Sequence, residues 1–392
     1  MIQKPTGTAI DMNIFLPRET DPRETRVAIL PQNVQQLIKL GARVFFEPQF
    51  GNTLCLSDEA FAKVGGDPLS LDQGLAQADL VLRLRKPPLA DVSRMKPGSI
   101  LVGCLDPFRS PDLIRALAER GVRAISLELL PRTTLAQKMD VLSSQANLAG
   151  YVAVILAASR SPKIFPMMST PAGTIAPARV LIIGAGVAGL QAIATARRLG
   201  AVVEAFDTRP AAEEQVKSLG ARFVKIDLGE TGQTRDGYAK SLTPEQLEIQ
   251  RRALTRHCSN SDIVITTALV FGKPAPLILT HDMIVGMAPG SIVVDMAVET
   301  GGNVEGSRLD EEHEIDGVRL IGLGNLPGRV AYNASQMVAN NLYNFVEHFW
   351  DREAGRLDLR REDELIAGSL VTEDGDVIHP LIRERLAQGK DA

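Results

Sequence analysis

The stretch RVLIIGAGVAGLQ, residues 179–191, decides the fold of this chain. A run of apolar residues ends at Ile183, and a glycine-rich turn follows at Gly184, Gly186 and Gly189 before a helical pattern begins. In this arrangement the first glycine permits a tight turn, the second lets a phosphate approach the backbone, and the third lets the helix pack closely on the strand. The free N–H groups of the helix N-terminus attract the phosphates. The stretch therefore predicts a dinucleotide-binding turn.

An acidic residue at the end of the next strand supports this interpretation. Asp207 follows the run 202–206 and lies 23 residues after Gly184. A carboxylate at this place accepts hydrogen bonds from the ribose hydroxyls of adenosine and repels the 2′-phosphate of NADP. Arg209 leaves an alternative open, because an arginine nearby can bind a 2′-phosphate. Since Asp207 occupies the strand end itself, we predict that the cofactor is NAD(H).

Around this turn, short apolar runs alternate with helical patterns twice along the chain. This alternation predicts an α/β fold with two doubly wound, Rossmann-like parallel-sheet domains separated by a cleft. The predicted strands are 13–17, 42–47, 80–84, 99–105 and 123–127 in the first set, and 179–183, 202–206, 222–226, 262–267, 291–296 and 319–322 in the second.

Two longer patterns, 136–158 and 335–350, carry apolar residues at helical spacing and predict two long helices that link the domains. The first domain is expected to comprise residues 13–142, completed by 335–392, and the NAD-binding domain residues 143–334. Ligands are expected in the cleft between them.

The composition excludes several classes of function. The net charge of −4 and an aromatic content of 4% argue against binding to nucleic acid. The histidines and cysteines have no metal-ligand spacing, so no metal is expected. No run approaches the roughly 18 uninterrupted apolar residues of a membrane span, so no direct membrane insertion is expected. Residues 1–12 have no apolar core of a signal peptide and resemble a loose leader.

A second polar group precedes the dinucleotide turn. Gln137 and Asp140 are three residues apart and are expected to share one face of a helix, with Arg132 in the turn before it. These residues alone also fit the capped start of a helix with solvated side chains. The pattern by itself leaves both interpretations open.

The run QKMDVLSSQANLAGY, residues 137–151, closely resembles the signature of the NAD-binding component of proton-translocating transhydrogenases. The resemblance extends from Asn13 to about Leu381. Further matching stretches are FPMM at 165–168, the turn at 184–191, TTAL at 266–269, DMAVE at 295–299, GGN at 301–303, and the ending from Glu362 to Pro380.

This resemblance implies a role for each candidate residue. Arg132, Gln137 and Asp140 would hold and orient the nicotinamide, with Ser143 close to the same ring. The adenosine half, the cleft floor and a mobile loop that folds over the nucleotide would be formed, respectively, by Val187, Asp207, Thr208 and Arg209; by Thr267, Ala268 and Leu269; and by Gly237, Tyr238 and Gln250.

The resemblance also implies partners. Hydride would pass between NADH on this chain and NADP⁺ on a separate NADP(H)-binding domain, while a membrane domain on another chain translocates protons. The family's NAD component is a homodimer. Such a chain would be cytoplasmic and peripheral to the inner membrane through its partner subunits.

Alanine dehydrogenase is the nearest alternative, because it shares the fold and the N-terminal motifs at 18–19 and 26–28. Where that enzyme carries a catalytic lysine and histidine, this chain has Arg85 and Asp106. An arginine does not shuttle protons near neutral pH, and a carboxylate would need a strongly raised pKa to replace an imidazole. Lys86, the next residue, keeps this alternative open. A non-catalytic NAD sensor is the third hypothesis, although it would need only the dinucleotide turn.

Overall fold

The structure, a computed structural model, describes residues 12–229, 242–270 and 272–388. The chain divides into two compact units. The first unit contains the residues up to Ser144 together with those from Ala331 onward, and the second contains Gln145–Val330.

Strands and helices alternate along most of the chain. Up to Arg160 they are β1 Asn13–Leu16, α1 Pro31–Leu40, β2 Arg43–Phe46, α2 Asp58–Ala62, β3 Asp67–Pro68, α3 Leu71–Gln77, β4 Leu80–Arg85, α4 Leu89–Val92, β5 Ile100–Cys104, α5 Pro111–Glu119, β6 Arg123–Ser126 and α6 Val141–Arg160. They continue as β7 Met168–Thr170, β8 Gly173–Ile175, β9 Arg179–Ile183, α7 Val187–Arg198, β10 Val202–Phe206, α8 Ala212–Ser218, β11 Arg222–Phe223, α9 Pro244–Ser259, β12 Ile263–Thr266, α10 His281–Val285, β13 Ile292–Asp295, β14 Glu311–Ile315 and β15 Val318–Gly322. The last elements are α11 Ala331–Phe349, β16 Trp350–Asp351, β17 Arg356–Leu357, α12 Glu364–Ser369, β18 Leu370–Glu373, β19 Asp376–Val377 and α13 Pro380–Gln388.

The main sheet of the first unit has the strand order β19-β18-β6-β5-β4-β1-β2-β3 across the described residues. The strands from β1 to β6 are parallel to their neighbours, and β18 adds an antiparallel strand beside β6. The parallel part therefore follows the doubly wound order 3-2-1-4-5-6.

The sheet of the second unit repeats this topology. Its order is β11-β10-β9-β12-β13-β15-β14 over the described ranges, parallel throughout except for the edge strand β14. The predicted fold class, two doubly wound Rossmann-like parallel sheets, is confirmed. In such sheets ligands bind beyond the carboxyl ends of the strands where the order reverses, which here is the junction of β9 and β12.

Both faces of this second sheet are covered. Along β9, Val180 and Ile182 belong to one buried cluster, while Leu181 and Ile183 belong to another on the opposite face. Alternation across a strand explains this division, and burial on both faces explains why the strand is apolar throughout. The strand and the turn that follows it are thus held from two sides.

Helix α6 is long and apolar enough to cross a membrane by length and composition, the one such helix in the described parts of the chain. Its first turn contributes Val141 to the core of the first unit, and the stretch Val152–Ala157 contributes to a core of the second. This burial identifies α6 as a core helix of a globular fold.

Two expectations about loops were wrong. Gln250 does not lie in a long loop, because it is buried within α9, whose start is capped by Thr243 and Gln246 in a reciprocal pair of hydrogen bonds. Met12 does not belong to a loose leader, because it is buried in the first core and accepts a hydrogen bond from the Arg43 N–H. Gly237, Tyr238 and residues 1–11 lie outside the described residues.

Candidate nucleotide-binding site

The glycine-rich turn after β9 has the geometry of a phosphate-binding turn. Gly184 adopts a left-handed conformation with a φ of 101°. A Cβ atom on Gly189 would lie 1.8 Å from the carbonyl oxygen of Gly184, so helix α7 packs directly on the turn. A Cβ atom on Gly186 would meet no atom within 4 Å. The turn is therefore tight at both ends and open at Gly186, the position where a phosphate approaches.

The carboxyl end of β12 lies against this turn. The Thr267 hydroxyl donates a hydrogen bond to the Gly184 carbonyl at 3.0 Å, and the Thr267 N–H donates to the Ile183 carbonyl at 2.8 Å. Next to this contact, the side chains of Val187 and Leu269 are 38% and 47% exposed. The structure thus places two apolar side chains at the accessible edge of the sheet, where a nucleotide would bind.

Asp207 links the turn to the end of β10. One carboxylate oxygen accepts a hydrogen bond from the Ala185 N–H at 2.8 Å and another from Nη2 of Arg209 at 2.8 Å. The other oxygen accepts from the backbone N–H of Arg209 at 2.8 Å and from its Nε at 2.9 Å. The hydrogen bond to Asp207 raises the pKa of Arg209. Ribose hydroxyls that bind Asp207 would therefore compete with the Arg209 guanidinium. Thr208 lies between these two residues and is partly buried.

Two supporting residues were missed by the sequence analysis. Asn303 is fully buried and its side chain bonds both the N–H and the carbonyl of Ala268, at 3.1 and 2.9 Å. The buried carboxylate of Asp295 in turn accepts from the Asn303 N–H at 3.0 Å. Together they hold the Thr267–Leu269 loop beside the dinucleotide turn. The stretch GGN at 301–303 contributes to the family resemblance, but no local pattern shows which loop an asparagine will support.

A glycine in helix α6 supports the turn from behind. A Cβ atom on Gly150 would lie 2.1 Å from the carbonyl oxygen of Ala188, at the start of α7. Only glycine allows helix and turn to approach this closely. The stretch NLAGY at 147–151 also carries the family resemblance, but this packing role needs the three-dimensional structure.

The first unit contains Arg132, Gln137, Asp140 and Ser143 in one continuous segment. The predicted single helix over 136–158 is wrong, because a short 3₁₀ helix, Leu135–Met139, ends at Asp140 and α6 begins at Val141. Asp140 caps α6: its carboxylate accepts from the Ser143 N–H at 2.8 Å and from the Ser143 hydroxyl at 2.5 Å. Gln137 and Asp140 therefore do not share a helix face. Arg132 and Gln137 are exposed and Asp140 is partly buried.

A cluster of buried charges lies near the carboxyl ends of β1 and β4. The Glu24 carboxylate accepts from Nη2 of Arg26 at 2.7 Å and from Nε of Arg85 at 2.5 Å. Burial pushes the pKa of Glu24 upward, but the hydrogen bonds and charges of Arg26 and Arg85 outweigh it and lower the pKa to about 2. Both guanidinium groups are thus neutralised within the chain.

The neighbouring Lys86 and Asp106 are also paired. The Lys86 ammonium lies 3.1 Å from the Asp106 carboxylate and donates to the Ser110 hydroxyl at 2.7 Å. Asp106 accepts a further bond from Nε of Arg109 at 2.9 Å. Across the described residues, no group of three or more histidine, cysteine or acidic side chains is placed to hold a metal ion.

Comparison with known proteins places this architecture in a family. The model of the alanine dehydrogenase/PNT N-terminal domain matches residues 15–149, and that of the alanine dehydrogenase/PNT C-terminal domain matches residues 153–380. The chain belongs to the alanine dehydrogenase/PNT family. Within this family, individual relatives distinguish the two branches.

The chain is 44% identical to the first of the separate alpha-subunit chains of the NAD(P) transhydrogenase of Rhodospirillum rubrum, over 95% of this chain and 99% of that protein. A solved transhydrogenase structure from Sinorhizobium meliloti is 41% identical, has a TM-score of 0.81, and covers 94% of this chain and 99% of its own. Alanine dehydrogenase of Halomonas elongata is 28% identical, over 95% of this chain and 96% of that protein. The resemblance to transhydrogenases seen in the run 137–151 is confirmed.

Two alanine substitutions in the alanine dehydrogenase/PNT turn should separate stability from binding. We expect Gly189→Ala to lower the free energy of unfolding by about 1–3 kcal/mol, because its methyl group overlaps the Gly184 carbonyl. Gly186→Ala should leave stability almost unchanged, since the added methyl group meets open space, and should weaken NADH binding instead. Urea denaturation and NADH titration measure the two effects. Unchanged NADH affinity in Gly186→Ala would contradict a phosphate site at this turn.

The charge cluster predicts a pH-dependent stability. Because the pKa of Glu24 falls from 4.5 to about 2 on folding, its ionised form contributes stability above pH 4.5 that is lost as the pH falls toward 2. Glu24→Gln should therefore be less stable than the wild type by about 3 kcal/mol at pH 7. The difference should shrink below about pH 4.5 in urea titrations. Glu248→Gln, which removes an exposed pair with Arg252, is the control and should change stability by under about 0.5 kcal/mol.

Proposed function

We propose that this chain is the NAD(H)-binding subunit of a proton-translocating, Re/Si-specific NAD(P) transhydrogenase. It transfers hydride between the NADH that it holds and NADP⁺ held on a partner chain. The observation that carries the proposal is the open dinucleotide turn tied to Asp207, in a chain 44% identical over nearly its whole length to a transhydrogenase subunit.

In this proposal the two candidate groups divide the work. Gly184, Gly186 and Gly189 bind the pyrophosphate, Asp207 binds the adenosine ribose, and the Thr267–Leu269 loop lines the site. Arg132, Gln137 and Asp140 orient the nicotinamide. The capping bonds support this last role, because a carboxylate held by Ser143 keeps one orientation and can present that fixed geometry to a ring.

The chemistry of hydride transfer suits these residues. Hydride passes from C4 of one nicotinamide to C4 of another, so the step requires orientation and exclusion of water but no proton transfer from the protein. Alanine oxidation would instead need a group that binds the substrate carboxylate and a group that moves protons. The first unit offers Arg26 and Arg85 already bound to Glu24, and Lys86 already bound to Asp106. These pairs favour transhydrogenation over the dehydrogenase alternative.

We further propose a homodimer that binds its partners as separate chains. The β7–β8 hairpin projects apolar side chains, with Met167 66%, Met168 45% and Ile175 51% exposed. A two-stranded hairpin is only marginally stable alone, and an exposed apolar patch often marks an interface, which supports contact with a second copy. NADP(H) is held by a partner domain, and a membrane domain translocates protons. The chain is then cytoplasmic and peripheral to the inner membrane through these subunits, without inserting itself.

The proposal predicts a preference for NAD(H). We expect NADH to bind at least about tenfold more tightly than NADPH, a difference of about 1.4 kcal/mol, measured by calorimetry. Asp207→Asn should narrow this gap for two reasons: it removes the charge that repels a 2′-phosphate, and it releases the Arg209 guanidinium to bind that phosphate.

A double variant serves as the control for this experiment. In Asp207→Asn/Arg209→Gln the cationic partner is absent, so NADPH should bind more weakly than to Asp207→Asn alone. Equal affinity of the wild-type chain for NADH and NADPH would refute the assignment of the cofactor.

Activity measurements separate the two branches of the family. With an NADP(H)-binding transhydrogenase domain, the chain should transfer hydride between NADH and NADP⁺, and alone it should form no NADH from alanine and NAD⁺. Arg132→Ala, Gln137→Asn and Asp140→Asn should each slow hydride transfer far more than they weaken NADH binding, because a displacement of about 1 Å at the ring can cost about 100-fold in rate. Alanine-dependent NADH formation by the isolated chain would assign it to the dehydrogenases instead.

A further inference from the structure

Helix α11 carries two asparagines whose side chains contact the Leu135–Met139 turn of the same unit. The Nδ2 groups of Asn341 and Asn344 both donate to the carbonyl of Lys138, each at 3.0 Å. Lys138 directly follows Gln137 and lies two residues before Asp140. The helix therefore holds the backbone between two of the residues proposed to orient the nicotinamide.

Asn341 makes a second contact on the other side of Asp140. Its Oδ1 accepts a hydrogen bond from the Ser144 hydroxyl at 2.7 Å. The Ser144 N–H donates to the Asp140 carbonyl at 3.2 Å, in the first turn of α6. One side chain thus connects the end of the 3₁₀ turn to the beginning of the next helix, and Asp140 lies between the two points of attachment.

The surroundings of Asn341 explain why this contact is informative. Asn341 is only 7% exposed, and its neighbours in sequence, Val338, Leu342 and Phe345, belong to a buried apolar cluster together with Met139 and Val141. A buried amide costs free energy unless its hydrogen bonds are made, whereas an apolar side chain here would need none. Packing alone does not require an asparagine at this position.

The 3₁₀ turn is held weakly by its own backbone. The Gln137 N–H donates to the Thr134 carbonyl and the Asp140 N–H donates to the Gln137 carbonyl, and both bonds are long, at 3.4 Å. Hydrogen bonds of this length contribute little to rigidity. The shorter bonds from Asn341 and Asn344 therefore set the position of this segment.

We propose that Asn341 is a positioning residue for hydride transfer, which fixes Gln137 and Asp140 through Lys138 and Ser144. The inference rests on the proposed function, in which Gln137 and Asp140 orient the nicotinamide. Asn341 touches neither nucleotide and acts through the geometry of the segment.

The test compares Asn341→Leu with Asn344→Ala in the full chain, assayed with an NADP(H)-binding transhydrogenase domain. Asn341→Leu keeps the approximate size of the side chain but removes both hydrogen bonds, so the rate of hydride transfer should fall about 10- to 100-fold. NADH affinity, measured by fluorescence titration, should stay within about twofold, because the pyrophosphate and adenosine contacts supply most of it. Asn344→Ala is the matched control: Asn341 still bonds the Lys138 carbonyl, and the rate should fall less than about threefold.

A double variant tests whether Asn341 acts through Gln137. If it does, Gln137→Ala/Asn341→Leu should transfer hydride no more slowly than Gln137→Ala, whereas independent structural damage would multiply the two losses. Multiplied losses, or a parallel loss of NADH affinity and rate in Asn341→Leu, would overturn the inference. If Asn341→Leu does not fold, Ser144→Ala replaces it, because it removes one bond of Asn341 and should still slow transfer severalfold at unchanged NADH affinity. An unchanged rate in Ser144→Ala would then refute the role.

The reference variant Gln137→Ala distinguishes this inference from the function on which it rests. If Gln137→Ala transfers hydride at the wild-type rate, the proposed role of the segment in orienting the nicotinamide fails. If Gln137→Ala is slow while Asn341→Leu is not, the proposed function stands and the role of Asn341 is refuted.

Discussion

The contact between Gly189 and the Gly184 carbonyl is the constraint on which the nucleotide site depends. It brings the N-terminus of α7 onto the end of β9, closer than any side chain would permit. This approach leaves Gly186 facing open space, points the Ala185 N–H at Asp207, and lets Thr267 reach the Gly184 carbonyl. Gly150 imposes a similar closeness from behind through Ala188. The site is therefore built from backbone groups whose positions follow from close packing.

A different principle organises the Arg132–Ser143 segment. Here a carboxylate caps a helix, and the first turn of α6 fixes the direction in which Asp140 presents its oxygens. A group fixed in this way is suited to orientation, since its hydrogen bonds define a plane and a distance before any ligand binds. Capping also ends the preceding turn, so Gln137 is placed by that turn and by the side chains of α11 that hold it.

Local patterns were sufficient to predict the turn, the buried strands and the doubly wound topology, because glycine spacing and continuous apolar runs report directly on backbone and burial. The break at Asp140 was missed because apolar residues continue at helical spacing across it, and a capping aspartate resembles any polar residue of a helix. Helix α9 was missed although Thr243, Pro244 and Gln246 form a standard start signal, since the preceding glycines suggested a loop. The edge strand β14 has the sequence EEHEI and lacks an apolar pattern. The candidate site residues themselves stay predictions, and the supports from Asn303 and Asn341 depend on tertiary contacts that no local pattern records.

The same fold serves two chemistries in this family, so the fold alone does not decide the function. What distinguishes them here is the state of the charges at the carboxyl edge of the first sheet. A dehydrogenase of amino acids needs a cation free to bind a carboxylate and a group that exchanges protons near neutral pH. In this chain Glu24, with its pKa lowered to about 2, stays ionised and keeps Arg26 and Arg85 engaged, while Asp106 engages Lys86. Charges bound to each other stabilise the unit and leave the reaction to the nucleotides, which is the requirement of hydride transfer between two nicotinamides.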